Sequence, residues 1–330
     1  MLTLKNHPDN VELCKLKQGK KLIPIYWHPV RTEELRLAVT NLGGFNNELF
    51  RDRFQLSEKQ SEEILDNLNA GTTPEGPLQK PFFKVKRYIS DNLYSEMHLS
   101  GSQELVVPFP EGNTSWGEHA IYAGASGSGK TYDAISRILN NLNGPEKHRR
   151  RFTIISNEWH SDKTLEPLKA ERYRNFVHGI DVSETSLTNS EHDTPQQYFD
   201  KEVLPFFENA SEGEIIFCDD PLDCCCSTQL RQIINRSIRT FRHKSVGIQF
   251  VLHSIRSGIW SSTAGSNCKY FVLFPRSQRG KVRDYLNQEM GCTLREAREH
   301  VHDFAATGRA MYVRLFSPQC LINNKMIRLL

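Results

Sequence analysis

Gly124-Ala-Ser-Gly-Ser-Gly-Lys130-Thr131 decides the reading of this 330-residue chain. The octapeptide has the spacing G-x-x-x-x-G-K-[ST] of a P-loop. It follows an apolar run, Ala120-Ile-Tyr-Ala123, and precedes a helical pattern through Ala134, Ile138 and Leu139. Strand, glycine-rich turn and helix in that order are the setting in which such a spacing forms a phosphate cradle. The backbone N–H groups of Gly124, Ala125, Ser126, Gly127, Ser128, Gly129, Lys130 and Thr131 can then turn toward one concavity, and the helix start adds its positive end. The phosphates of ATP would lie there, with Lys130 on the β- and γ-phosphates and the Thr131 hydroxyl on Mg2+.

Working outward, Glu214-Ile-Ile-Phe-Cys-Asp219-Asp220 reads as a buried strand that carries two carboxylates to its tip. Asp219 is placed to hold the magnesium shell, and Asp220, one residue beyond, to polarise an attacking water. The next apolar run, Val246–Leu252, ends at His253, a polar residue suited to sense the γ-phosphate or to position water. Gln249 is a weaker candidate because it falls inside that run. Between the two strands, Leu230, Ile233, Ile234, Ile238 and Phe241 share one helical face, with Arg231, Arg236, Arg239 and Arg242 around the other. That arginine face is either solvated or reaches a neighbour's ATP, and the planar guanidinium fork suits phosphate oxygens.

Charge is unevenly distributed under a net of +3. Residues 227–330 hold 17 Lys and Arg against 5 Asp and Glu, and 13 of the 17 are Arg. Residues 101–226 hold 11 against 21. An Arg-rich end suits a polyanion or an active site shared between subunits, or is a surface offset by the acidic middle of the same fold. No run approaches the roughly 18 apolar residues of a membrane span, and the amino terminus lacks the apolar core of a signal peptide. No stable membrane insertion and no secretion are expected. The eight cysteines include no C-x-x-C pair, and the triplet Cys224-Cys225-Cys226 reads as small side chains in a turn.

Residues 1–100 read as a separate amino-terminal region, and residues 101–330 as the P-loop domain. Within the first, Ser57 is placed to cap a helix to Asn69, Ala70–Pro77 reads as a linker, and Phe82–Val107 as short extended segments. From residue 118, strands are expected at 119–123, 152–156, 214–218, 246–252 and 270–274. Helices are expected at 130–142, 196–209, 228–242, 278–290 and 294–305, with edge strands at 309–315 and 325–329. Short β-branched runs alternating with amphipathic helices predict an α/β fold, a mostly parallel central sheet flanked by helices.

The ordered set Gly124–Thr131, Ile154–Ser156 with Asp162 and Leu165, Ile215–Asp220, Arg242-His-Lys-Ser245, Tyr270–Pro275 and Arg309–Pro318 resembles the FtsK–HerA superfamily. Within it, the set is most similar to the genome-packaging ATPases of large DNA viruses, virophages and polinton-like elements. The resemblance spans roughly residues 100–330. It departs from the group at His253, where Gln or Asn is common, and at Phe241, where Gly often precedes the Arg-His pair. It implies an additional-strand P-loop ATPase in a homo-oligomeric ring, commonly a hexamer, that threads double-stranded DNA into a preformed capsid. Capsid or portal-vertex proteins would be its partners, at the viral assembly site inside the host cell. It also makes Arg242, then Arg239, the first choices for a finger acting on a neighbour's ATP. Two other readings stay open, a replication helicase or AAA+ ATPase and a weakly hydrolysing scaffold for capsid assembly. A strand at 309–316 joining the core sheet favours packaging over AAA+.

Overall fold

The computed structural model describes residues 2–4, 6, 8, 10–27, 54–70, 72–91, 96–99, 104–108, 119–255, 267–316 and 318–330. The chain divides into two compact units, residues 1–108 with 318–330 and residues 109–317. The boundary falls at 108/109 and not at the expected 100/101, and residues 318–330 group with the first unit and not with the P-loop unit.

In the first unit, β1 (Leu2–Thr3), β3 (Lys21–Trp27), β2 (Val11–Gln18) and β5 (Glu104–Val107) form an antiparallel sheet in that order. Gln18 pairs with Lys21 across a two-residue turn, with Gly19 at a φ of 58°. α1 (Glu58–Ala70) begins where Ser57 predicts it. Ser57 Oγ accepts from Gln60 N, and Gln60 Oε1 accepts from Ser57 N, so the cap is reciprocal. Ile64 is buried; the side chains of Leu65 and Leu68 lie outside those described.

The extended reading of Phe82 onward is overturned by α2 (Gln79–Asp91), a helix preceding the short strand β4 (Glu96–His98). Pro81 sits in its first turn, where a missing N–H costs nothing. Phe82 and Val85 are buried while Phe83 faces out, which is a helical and not an alternating pattern.

The second unit carries the P-loop. In chain order it contains β6 (Ala120–Ala123), α3 (Lys130–Leu142), β7 (Arg151–Ser156), β8 (Val177–Asp181), α4 (Glu184–Thr188), α5 (Pro195–Tyr198) and α6 (Leu204–Glu208). These are followed by β9 (Glu214–Asp219), α7 (Ser227–Phe241), β10 (Gly247–Leu252), β11 (Tyr270–Leu273), α8 (Arg279–Glu289), α9 (Leu294–Thr307) and β12 (Met311–Arg314). The strands lie in the order β12-β11-β6-β10-β9-β7-β8. All are parallel except β12, which runs antiparallel to β11. β6, β9, β10 and β11 are almost wholly buried, as a sheet covered on both faces requires. The chain returns to the first unit as β13 (Cys320–Ile322) and β14 (Met326–Leu329), where β14 pairs antiparallel with β13 and with β4.

One expected helix is interrupted. Residues 196–209 form α5, then a π-helical turn at Phe199–Val203, then α6. Pro205 supplies no N–H to the ladder, so the helix widens before it. The edge strand β8 was not anticipated; its pattern is half-buried, and Gly179 lies in its middle.

Candidate functional site

In a parallel sheet the loops that follow the strands gather along one edge, and the motifs meet there. β6 hands over to the P-loop at Gly124, whose N–H donates to Leu252 O at the end of β10 (3.1 Å). The loop tightens through Ser128 N to Ala125 O (3.1 Å) and uses positive φ at Gly127 (71°) and Gly129 (94°). α3 starts at once, with Asp133 N on Gly129 O. The Oγ of Ser128 is buried and has no hydrogen-bond partner among the described residues; it packs over the face where Gly124 has no side chain, 2.7 Å from where a Cβ would stand.

Lys130 is buried, and its ammonium donates to Ala125 O at 3.1 Å. Burial pulls it below the usual lysine range, while Asp220 and Asp219 oppose that shift. The Thr131 hydroxyl donates to Asp219 Oδ1 at 3.1 Å, across two strands and 88 residues of sequence. Burial, the Asp220 charge and, more weakly, Asp162 push the Asp219 carboxyl up to about 7 against the Thr131 bond and Lys130. Hard oxygen donors from a hydroxyl and a buried carboxylate are the set that magnesium takes, and a bound cation would reverse the Asp219 shift.

Asp220 stands just past the strand in left-handed backbone, φ 45°, a region an aspartate tolerates. Its carboxylate Oδ2 lies 3.1 Å from His253 Nε2 at the end of β10. Burial raises Asp220, and His253 and then Lys130 pull it back. The structure therefore gathers Lys130, Thr131, Asp219, Asp220 and His253 at one edge. Gln249 is not with them; it is buried mid-strand, beside Ala120 and Phe217 in register.

Arg239 and Arg242 lie at the other edge. α7 descends from the end of β9 to the start of β10, and both residues are exposed at its far end. Arg242 Nε donates to His243 Nε2 (3.2 Å), and its charge acts on His119, just before β6. Neither joins the P-loop of its own chain. A cleft of about 520 Å3 also opens at that edge, lined by Arg151, His178, Phe206 and Glu214 among others, and contains no P-loop residue. Cys224 and Cys226 are buried in the turn between β9 and α7.

One P-loop partner was not read from the sequence. Arg309, just before β12, donates from Nε to Ser128 O at 2.7 Å. The signal available was an arginine beside Gly308 at a strand start, too common a pattern to assign.

No protein-family model and no curated protein matches the sequence. Among solved structures, the chain is similar to the genome packaging NTPase B204 of Sulfolobus turreted icosahedral virus 2 with ATP-gammaS. The identity is 13%, over 64% of this chain and 98% of that one, at a TM-score of 0.38. It is also similar to the pCW3 conjugation coupling protein TcpA (12%, covering 70% and 66%, TM-score 0.37). A third is the cytoplasmic domain of the Thermomonospora curvata type VII secretion ATPase EccC (12%, covering 70% and 28%, TM-score 0.39). The P-loop fold itself stands on this chain's own strand order and loop geometry.

Proposed function

We propose that this chain is an ATP-hydrolysing motor that moves double-stranded DNA into a preformed capsid, acting as a homo-oligomeric ring, commonly a hexamer. The observation that carries the reading is the Thr131–Asp219 bond, with Lys130 at the loop and the Asp220–His253 pair one residue further on. That arrangement serves hydrolysis and not binding alone.

In the mechanism this implies, the loop N–H groups other than those of Gly124 and Ser128, which donate to Leu252 O and Ala125 O, hold the phosphate chain together with the α3 start. Lys130 leaves Ala125 O for the β- and γ-phosphate oxygens, a short swing for a buried ammonium already partly desolvated. Thr131 and Asp219 would hold Mg2+, which when bound neutralises charge on those oxygens. Asp220 accepts a proton from the attacking water, and His253 fixes the direction of its carboxylate. Arg242, or Arg239, reaches the ATP of the adjacent subunit.

DNA handling is supported by the Arg-rich segment 227–330 and by the motif resemblance. The pairing of β12 with β11 favours packaging over an AAA+ lid, since the chain returns to the core sheet after α8 and α9. Residues 1–100 are the proposed docking region for capsid or portal-vertex proteins, and the viral assembly site inside the host is the proposed location.

The test measures phosphate release with and without linear duplex DNA at low salt, together with electron microscopy in a non-hydrolysable ATP analogue. Rings with nucleotide at subunit boundaries and DNA-stimulated turnover are expected. Monomers that hydrolyse ATP without binding DNA sink the motor, and DNA-free assembly with negligible turnover selects the scaffold.

A further inference from the structure

The antiparallel strand β12 overhangs the P-loop. Met311, Leu273 and Ala123 lie in one row across β12, β11 and β6. Arg309, two residues before that row, therefore stands at the edge where β6 becomes the loop. Its Nε donates to Ser128 O at 2.7 Å. A methyl group on Gly129 would sit 2.3 Å from the Arg309 Cζ, so the guanidinium lies flat against the face where Gly129 has no side chain. The next residues of the same segment hold the following turn, with Tyr312 donating to Asp133 Oδ at 2.7 Å in the first turn of α3. Arg137, one turn on, donates to Tyr122 OH of β6 at 3.0 Å.

We propose that Arg309 is a positioning residue for the phosphate cradle, a brace from β12 that holds the Ser128–Gly129 peptide with its N–H turned inward. In a trans peptide the C=O and N–H point in opposite directions. A cation on the outer carbonyl therefore aims the Gly129 N–H at the concave side. It also strengthens that donor by polarising the amide. The same contact keeps Gly129 at its φ of 94°. Arg309 itself is exposed, while the β11–β12 ladder and the Tyr312 bond hold the strand without it. Its contribution therefore appears in nucleotide affinity and not in folding.

The inference rests on the nucleotide-binding reading, and the experiment separates the two. Binding of a fluorescent ATP analogue is titrated for full-length wild type, Arg309→Ala, Arg309→Lys, Gly129→Ala, the Arg309→Ala/Gly129→Ala double variant and Lys130→Ala, with thermal unfolding of each without nucleotide. Arg309→Ala is expected to raise Kd about tenfold, the scale of one charge-assisted hydrogen bond. Its nucleotide-free midpoint should stay within about 2 °C of wild type. Arg309→Lys should recover part of the affinity. Gly129→Ala should cost less in the Arg309→Ala background than alone, because the displaced guanidinium is the group it meets. A wild-type Kd in Arg309→Ala while Lys130→Ala loses binding overturns the brace, and so does a fall in the nucleotide-free midpoint large enough to account for the lost affinity. Unchanged binding in both Arg309→Ala and Lys130→Ala removes the nucleotide reading and the brace with it.

Discussion

The two edges of the seven-strand sheet differ in how their charged groups are partnered. At the carboxyl edge, Lys130, Thr131, Asp219, Asp220, His253 and Arg309 find one another within a single chain. At the amino edge, Arg239 and Arg242 are exposed, and Arg242 donates to its neighbour His243. Under the proposed function, nucleotide binding is complete in one subunit, whereas the arginine step needs two.

The sharpest way to break that contrast is Arg242→Ala. Hydrolysis in the assembled state should fall by more than about 1,000-fold with nucleotide affinity retained, since a transition-state arginine contributes on that scale. Mixing it with Lys130→Ala should restore turnover, each variant supplying the edge the other lacks; failure to complement puts the arginine elsewhere. Lys130→Ala alone should lower phosphate release by about 1,000-fold and weaken binding as well. Asp220→Asn should cost about 100-fold in turnover at nearly unchanged Kd, which separates proton transfer from phosphate holding.

Two smaller effects concern the sheet that carries both edges. A Cβ on Gly179 would lie 1.9 Å from the Trp159 ring, so Gly179→Ala should lower stability by about 1–3 kcal/mol in urea titrations. His119 is the amino-edge counterpart of the buried Lys130. Its Nδ1 accepts from Ile248 N (3.0 Å) and its Nε2–H donates to Ile238 O (2.9 Å), which only the neutral ring can do. Burial lowers its pKa to about 4, with Arg242 and Lys269 adding to the shift. The folded value lies below the unfolded one, so the full contribution is present above about pH 6.5 and is lost as pH falls toward 4. The slope is about 1.4 kcal/mol per pH unit. His119→Gln should flatten that slope in denaturation midpoints taken between pH 7.5 and 5.

The carboxyl edge was legible because each of its parts is local. An octapeptide announces the loop, a strand ending in two acids announces Asp219 and Asp220, and a polar residue after an apolar run announces His253. Arg309 was not legible because its role exists only once an antiparallel strand is laid beside β11, and nothing in Gly308-Arg309 states that register. His119 was hidden similarly, since its partners lie 119 and 129 residues away. In the first unit α2 was missed because Phe82 and Phe83 together suggest a strand; the burial of one and the exposure of the other show the helix. The role of the arginines was not legible from one chain for a different reason. Their proposed substrate belongs to another molecule.

The bond between Arg309 and Ser128 joins residues 181 apart, which sets an order of events as the protein is made. The P-loop, both aspartates and His253 all leave the ribosome before β12 does. β6 must likewise wait, because both strands that flank it, β10 and β11, come later in the chain. Such long-range pairings close slowly. A nascent chain thus carries Lys130, Thr131, Asp219, Asp220 and His253 while the segment that bears Arg309 is still to come. On the brace proposal, the cradle gains its outer support last, when synthesis of the unit is nearly finished.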